Sequence, residues 1–339
     1  MSEIRFDLLH NRYTIIAPER LHRPDLFEAE KTKSLSSKKC PFCEGNEALT
    51  PDEIFAIREN GANSTGWKTR VVPNLYKALS VEESYSSKRD GMSEKFLGVG
   101  AHEVLIDSPS HEKDILKESS ELTKFWLQTL KSRVNDLKND IRLVHLSIFK
   151  NHGLNAGATQ KHPHTQLLAL PILPQSELDF LKQNFKYYKK HGRGIQEDLL
   201  QSELDYKERI LDKTDDFTAY CPYASSFPFE VIISPNKNIS TIAQCSEKNL
   251  EDLSTIITSV FDKLYLKLGN FDYNLYFKIA PLNSNFQNES YLNTIEKNFR
   301  FSLRIVPRIY RLAGFELAND MFINPISPEE CAKVLRREV

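Results

Sequence analysis

The sequence predicts an α+β chain built from two related strand–helix–strand units, one chemically active and one that has lost its histidines. Two helical patterns and a repeated strand order carry that prediction. Residues 119–138 space Leu122, Phe125, Trp126, Thr129, Leu130, Val134 and Leu137 as one buried helix face. Residues 247–268 do the same through Leu250, Leu253, Ile257, Val260, Phe261, Leu264 and Leu268. Around the first helix lie an alternating strand and turn, His102 to His111, then a strand at Leu143–Phe149 and the apolar run Leu167–Leu170 ending in Pro171. Around the second lie Phe229–Pro235, Asn274–Ile279 and Phe299–Pro307. Aligning Pro171 with Pro307 sets His162 against Asn298, His164 against Arg300 and Gln166 against Ser302.

The remaining elements follow in order. Residues 4–17 alternate weakly and end in a strand, Tyr13–Ala17. The prolines at 18 and 24 argue against a helix between them and leave Arg20 and Arg23 on a loop, either a solvated basic turn or a phosphate clamp. Residues 30–39, rich in Lys and Ser, and the polar residues 82–95 read as mobile segments. Arg70–Tyr76 is a short strand and turn, and residues 176–216 form a charged, helix-rich connector. Near the end, Ser327 caps a last helix, with Pro328 in its first turn and Glu329 and Glu330 at its positive end.

Composition narrows the function. With 339 residues the chain is long enough for about two domains. Lys and Arg number 45 against 46 Asp and Glu, so nucleic acid is not the expected main partner. No apolar run is long enough to span a bilayer, and the N-terminus lacks the apolar stretch of a signal peptide. The 5 cysteines include one close pair, Cys40 and Cys43, which fits a reducing cytoplasm and a metal site better than disulfides. A thioredoxin-like redox pair is the alternative. Neither a Walker loop nor a Gly-x-Gly-x-x-Gly fingerprint is present.

The chemistry centres on His162-Pro163-His164-Thr165-Gln166. Alternation on a strand would put His162, His164 and Gln166 on one side, where two imidazoles and a carboxamide need partners or a metal. A neutral imidazole can also be a nucleophile that divides one transfer into two steps. Taken alone, the pair is more often a metal-binding or surface pair. Upstream, Asn151-His152-Gly153-Leu154-Asn155-Ala156-Gly157-Ala158-Thr159 is a loop of small residues whose backbone N–H groups can approach an anion. Cys40 and Cys43 make half of a zinc knuckle, and histidines must complete it, because Cys221, Cys245 and Cys331 are isolated. From the residues alone His102 and His111 are both open as ligands.

These motifs, with Ala17-Pro-x-Arg20-x-x-Arg23-Pro24, Val72-Pro-Asn74, Ser108-Pro-Ser-His111, Gly314-Phe-Glu316 and Ile323-Asn-Pro325, resemble the galactose-1-phosphate uridylyltransferase family. That family is a branch of the histidine-triad superfamily that includes the ADP-glucose phosphorylases. The resemblance implies two tandem histidine-triad-like domains, pseudo-duplicated, each an antiparallel sheet with packed helices. The catalytic domain would span 1–175 and the degenerate one 176–339. It implies a cytoplasmic, homodimeric nucleotidyltransferase acting on a nucleotide sugar, UDP-glucose or ADP-glucose, and on a sugar 1-phosphate or phosphate. The leading reading is hexose-1-phosphate uridylyl transfer; ADP-glucose phosphorolysis, nucleotide-sugar hydrolysis and a non-catalytic nucleotide-binding protein are the alternatives. On the resemblance, His164 is the nucleophile and Gln166 its phosphate-side partner. Cys40, Cys43, His111 and His162 would hold one structural zinc. Asn151, Gly157, Ala158 and Thr159 match phosphate contacts or order the nucleophile. Arg20, Arg23 and Asn74 match nucleotide-side contacts, some crossing a dimer interface in relatives, and Glu316 matches a residue near the sugar. The chain departs from the family in having no second cysteine pair and no histidine after His191. A second metal site is therefore expected to be absent.

Overall fold

The structure, a computed structural model, describes residues 2–22, 40–111, 114–284 and 291–338. Strands β1 (Glu3–Asp7) and β2 (Arg12–Ile16) form a hairpin, followed by one 3₁₀ turn at Pro18–His22. Then come β3 (Phe55–Arg58), β4 (Trp67–Pro73), the exposed hairpin β5 (Ser87–Asp90) and β6 (Ser93–Phe96), and β7 (Ala101–Ile106). Helices α1 (Ile115–Glu118) and α2 (Ser120–Leu137) lead to β8 (His145–His152) and β9 (His164–Leu170). Helices α3 (Gln175–His191) and α4 (Ile195–Tyr206) connect to β10 (Ile210–Lys213), β11 (Phe217–Tyr220) and β12 (Val231–Pro235). The chain closes with α5 (Glu247–Leu268), β13 (Tyr273–Lys278), α6 (Ile295–Asn298), β14 (Ser302–Pro307), α7 (Gly314–Asn319), β15 (Phe322–Asn324) and α8 (Pro328–Arg336).

Ten strands make one sheet in the order β10-β11-β12-β14-β13-β8-β9-β7-β4-β3, with every neighbouring pair antiparallel. The order is the duplication made visible. From β8 outward it runs β9, β7, β4, β3; from β13 outward it runs β14, β12, β11, β10. The two units join edge to edge where β8 pairs with β13, which removes two sheet edges that would otherwise be open.

One face of this sheet carries α2 and α5. Trp126, Leu130 and Val134 from α2 and Leu253, Ile257 and Leu264 from α5 are buried with Leu105, Ile148, Leu167, Leu275 and Leu303 in a single cluster spanning both units. Each such side chain contributes about 1.5–3 kcal/mol on leaving water. On the opposite face α3 packs over the second unit, where Glu177 lies 3.4 Å from Lys278 of β13. A small sheet of β1, β2 and the parallel strand β15 ties the two ends of the chain together. Arg5 and Arg209 share Glu329 at the start of α8, and Ser327 Oγ caps that helix by accepting from Glu330 N–H at 3.2 Å.

Several sequence expectations change. The β5–β6 hairpin, Ser87 to Phe96, takes up most of residues 82–95, and Pro18 opens a 3₁₀ turn because its fixed φ suits a first turn. The connector 176–216 ends in β10, an edge strand of the main sheet. Phe299–Phe301 precede β14, whose strand starts at Ser302. The likeness of His102–Pro109 to Phe229–Pro235 is one of strand position, not of register. Glu103 pairs with Arg133 of α2 on the helix side, whereas Glu230 pairs with Arg304, buried on the opposite face. The reading of 30–39 lies outside the described residues.

Candidate active site and metal cluster

Strand β9 is held from behind. Thr165 faces the helices, where its Oγ1 donates to Asp107 Oδ1 at 2.9 Å and accepts from Trp126 Nε1 at 2.9 Å. Lys150 donates to Asp107 at 2.8 Å and lies 3.3 Å from Asp114. Burial lowers the Lys150 pKa, but the two carboxylates outweigh it and the net shift is upward, so the ammonium stays charged in the core. Anchoring Thr165 inward turns His164 and Gln166 outward onto the open face.

His164 Nδ1 lies 2.9 Å from the backbone carbonyl of His162. A carbonyl can only accept, so Nδ1 carries the proton and Nε2 keeps its lone pair. Burial lowers the pKa of this imidazole, against the hydrogen bond and Asp107, which raise it. The side chain is thus poised as a neutral base with one free nitrogen. Its ring packs 5.6 Å from that of Phe42.

His162 precedes the strand instead of sharing the face of His164. It is fully buried, and its Nε2 donates to Ser108 O at 2.8 Å, leaving Nδ1 to face Cys40 and Cys43 at 3.7 and 3.6 Å. His111 Nδ1 lies 3.4 Å from Cys43 Sγ. The four ligand atoms of Cys40, Cys43, His111 and His162 all fall within 4.8 Å of one another, a Cys2His2 cluster able to bind a metal ion. The second histidine left open by the sequence, His102, is elsewhere. Its Nε2 is 3.1 Å from Gln166 Oε1 and its Nδ1 accepts from Ala78 N–H at 3.1 Å.

His164 and Gln166 line a cavity of about 440 Å³ with Phe42, Pro73, Asn74, Tyr76 and Thr159. Asn151 lines a second cavity of about 360 Å³ beside it, with Ser147, Asn274 and Arg308. The small-residue loop between them differs from its expected role. Gly157 N–H is bound to Leu154 O at 2.9 Å and Ala158 N–H to Gly153 O at 3.0 Å, so these amides close the turn and do not form a free cradle. Gly153 is required there. Its φ is 82°, and a Cβ would sit 1.8 Å from Asp272 Oδ1, the carboxylate that holds Asn155.

Arg20 and Glu316 do not line the cavity of His164. Arg20 sits on the 3₁₀ turn after β2, with Nε buried and unpartnered. Glu316 is buried and accepts from Ala313 N–H at 3.0 Å, capping α7. Arg23 lies outside the described residues. Sequence reasoning missed Asn274 and Arg308 and set His102 among metal candidates. Strand alternation carries a signal for two of them: His102 shares a face of β7 with Val104, and Asn274 shares a face of β13 with Tyr276, both faces opposite the helices.

Fold and site together define a two-unit protein with a histidine and a carboxamide on the open face of an antiparallel sheet, braced by a metal-type Cys2His2 cluster. The chain belongs to the galactose-1-phosphate uridyl transferase family, a family of nucleotidyltransferases. The model described as that family's N-terminal domain matches residues 1–174, and its C-terminal domain matches 180–318. An ADP-glucose phosphorylase of Arabidopsis thaliana is 30% identical over 98% of this chain and 92% of its own length. A galactose-1-phosphate uridylyltransferase of Thermotoga maritima is 27% identical over 99% of this chain and 98% of its own. The crystal structure of an A. thaliana ADP-glucose phosphorylase with bound ADP-glucose superposes with a TM-score of 0.82 at 28% identity, covering 100% of this chain and 99% of that one.

Proposed function

We propose that this protein moves a nucleoside monophosphate from a nucleotide sugar to a sugar 1-phosphate or phosphate through a covalent nucleotidyl-His164. The observation that carries the reading is the bond from His164 Nδ1 to His162 O, which leaves Nε2 free. Nε2 attacks the α-phosphorus, a P–N bond forms, and the P–O bond to the sugar 1-phosphate breaks with the electron pair leaving on oxygen. The acceptor phosphate then attacks the same phosphorus and the P–N bond breaks. Gln166 and Asn151 donate to phosphoryl oxygens where charge develops, and Asn74 and Thr159 line the nucleotide side. A neutral carboxamide at 166 cannot deprotonate water, which favours transfer over hydrolysis.

Zinc fits the Cys2His2 cluster. Bonds of about 2.3 Å to sulfur and about 2.0 Å to nitrogen at a tetrahedral centre set S and N about 3.5 Å apart. The observed separations are 3.4, 3.6 and 3.7 Å. Cys40, Cys43, His111 and His162 would hold the ion, whose chemistry is structural: it fixes His162, whose carbonyl fixes His164.

The leading reading is uridylyl transfer from UDP-glucose to a hexose 1-phosphate. A specific observation favours the second, adenylyl transfer from ADP-glucose to phosphate: the ADP-glucose phosphorylase is 30% identical, against 27% for the uridylyltransferase. Intact mass after mixing with each sugar decides between them. UDP-glucose should add UMP, or ADP-glucose AMP, as an acid-labile, base-stable phosphoramidate. No adduct with either would overturn the covalent reading. We further read residues 1–175 as the catalytic unit and 176–339 as the degenerate one, in a cytoplasmic homodimer. Arg20, which does not line the cavity of its own chain and whose Nε has no partner there, fits a dimer in which it serves the partner's site, and sedimentation should give twice the chain mass.

A further inference from the structure

The carboxamides of Gln166 and Asn151 each have a donor end and an acceptor end, and only the donor end helps a negatively charged phosphate. Something must choose which end faces the cavity. We propose that His102 and Asn274 make that choice. They are positioning residues, one from each half of the chain, that bind the oxygen of each carboxamide and so turn both NH2 groups toward the reacting phosphate. The proposal rests on the nucleotidyl-His164 reading above.

At both positions a donor that cannot accept sets the polarity of the neighbouring side chain. Ala78 N–H is a backbone donor, so His102 Nδ1 must accept and Nε2 must carry the proton of the neutral ring. Two groups lie 3.1 Å from Nε2: Gln166 Oε1 and Asn74 Nδ2. Asn74 has its own oxygen held by Tyr76 N–H at 2.9 Å, so it offers Nδ2, which cannot take a proton. The Nε2 proton therefore goes to Gln166 Oε1. Asn74 Nδ2 is thus a close neighbour of Nε2 and not its acceptor, and turning the Gln166 amide over would leave the Nε2 proton with no acceptor.

On the other side, Arg308 Nη1 donates to Asn274 Oδ1 at 2.9 Å. Guanidinium has no acceptor, so this bond fixes which end of Asn274 is oxygen. Asn274 Nδ2 then uses its two protons on Asn151 Oδ1 at 2.8 Å and Ala156 O at 2.9 Å. Asn151 is left with its NH2 outward, and neither Asn151 Nδ2 nor Gln166 Nε2 has a protein acceptor among the described residues. The half that lost its histidines thus keeps a role through β13, which pairs with β8 at Asn274–Asn151.

Double-mutant cycles on the rate of covalent labelling test this, using saturating UDP-glucose or ADP-glucose, whichever labels the wild type. Gln166→Ala should slow labelling about 10²- to 10³-fold, the usual loss for one oxyanion donor. His102→Phe should slow it at least about tenfold on the same scale, yet change it less than about twofold in the Gln166→Ala background. His102→Gln, which keeps a neutral N–H donor, should recover most of the loss. Asn274→Asp is nearly isosteric and sets oxygen against Asn151 Oδ1. It should cost about as much as Asn151→Ala and add nothing to it. The KM for the nucleotide sugar should move little in the positioning variants, and their melts and metal content should match the wild type. Asn274→Asp carries the test alone if the phenylalanine variant fails to fold. Additive cycles, or His102→Gln as slow as His102→Phe, would overturn the positioning roles while the wild type still labels. No label on the wild type overturns the parent reading instead.

Discussion

At the scale of single residues, the site is a matter of which nitrogen holds a proton. His164 is directed by one backbone carbonyl, and removing its side chain should remove the covalent step alone. His164→Gly is expected to abolish the adduct while leaving metal content and the thermal melt near wild type, because its ring does not face the cluster. His162→Ala should damage all three, since His162 supplies both a cluster nitrogen and the bond to Ser108. Intact mass, elemental analysis and a melt on each variant separate the roles. Thr165 gives a quantitative case. Thr165→Val keeps the shape but strips partners from Asp107 and Trp126 in the core, which should cost about 1–3 kcal/mol in urea unfolding.

At the scale of elements, the loop from β8 to β9 matters through its shape. Small residues let amides approach a phosphate, yet those of Gly157 and Ala158 are turned inward to close the loop. Gly153→Ala should be costly on two counts: a backbone at φ 82° and ψ 165°, a region all but confined to glycine that strains an L-residue by about 1–3 kcal/mol, and a Cβ driven into Asp272. Asp272→Ala in the same chain should relieve the second cost but not the first. Chemical denaturation of the two single variants and the double would show this as a positive coupling. A double variant no more stable than additivity allows would mean that Asp272 moves aside freely.

For the whole molecule, the cluster and the buried histidines set the conditions of stability. One zinc per chain is expected from protein purified without added metal, and Cys43→Ser should lose the metal and lower the melting temperature, because ligand binding is part of the folding free energy. Acid should act separately. Burial lowers the pKa of His145 and of His152, the latter stacked on Tyr273 with ring centroids 4.9 Å apart. In the unfolded chain each returns to about 6.5. Below that value the unfolded chain binds more protons than the folded one, so stability falls as pH falls until the folded groups titrate too. Melts with metal in excess should drop between pH 7 and pH 5, and His152→Gln should drop less. An equal drop would remove His152 from the cause. Among the described residues no helix is long and apolar enough to cross a membrane.

Local pattern determined much of this. The spacing of Trp126, Leu130 and Val134, and of Leu253, Ile257 and Leu264, suffices to write α2 and α5, because one buried stripe per helix is a property of 3.6-residue periodicity. The order of strands around them exposed the duplication, and the close pair Cys40 and Cys43 marked half of a metal site, whose histidines only the family resemblance supplied. Only the tertiary structure decided what depends on distant partners. It turned His102 toward Gln166, while His111, the ligand the resemblance already implied, returns to the cysteine knuckle after β7. It merged two sheets into one through β8 and β13, a pairing between strands more than a hundred residues apart that no local period encodes. It left Arg20 and Glu316 away from the cavity of their own chain, and it set Asn274 against Asn151. The orientation of a carboxamide is invisible in sequence because its two ends are nearly identical in shape; only the neighbours that bind them tell oxygen from nitrogen.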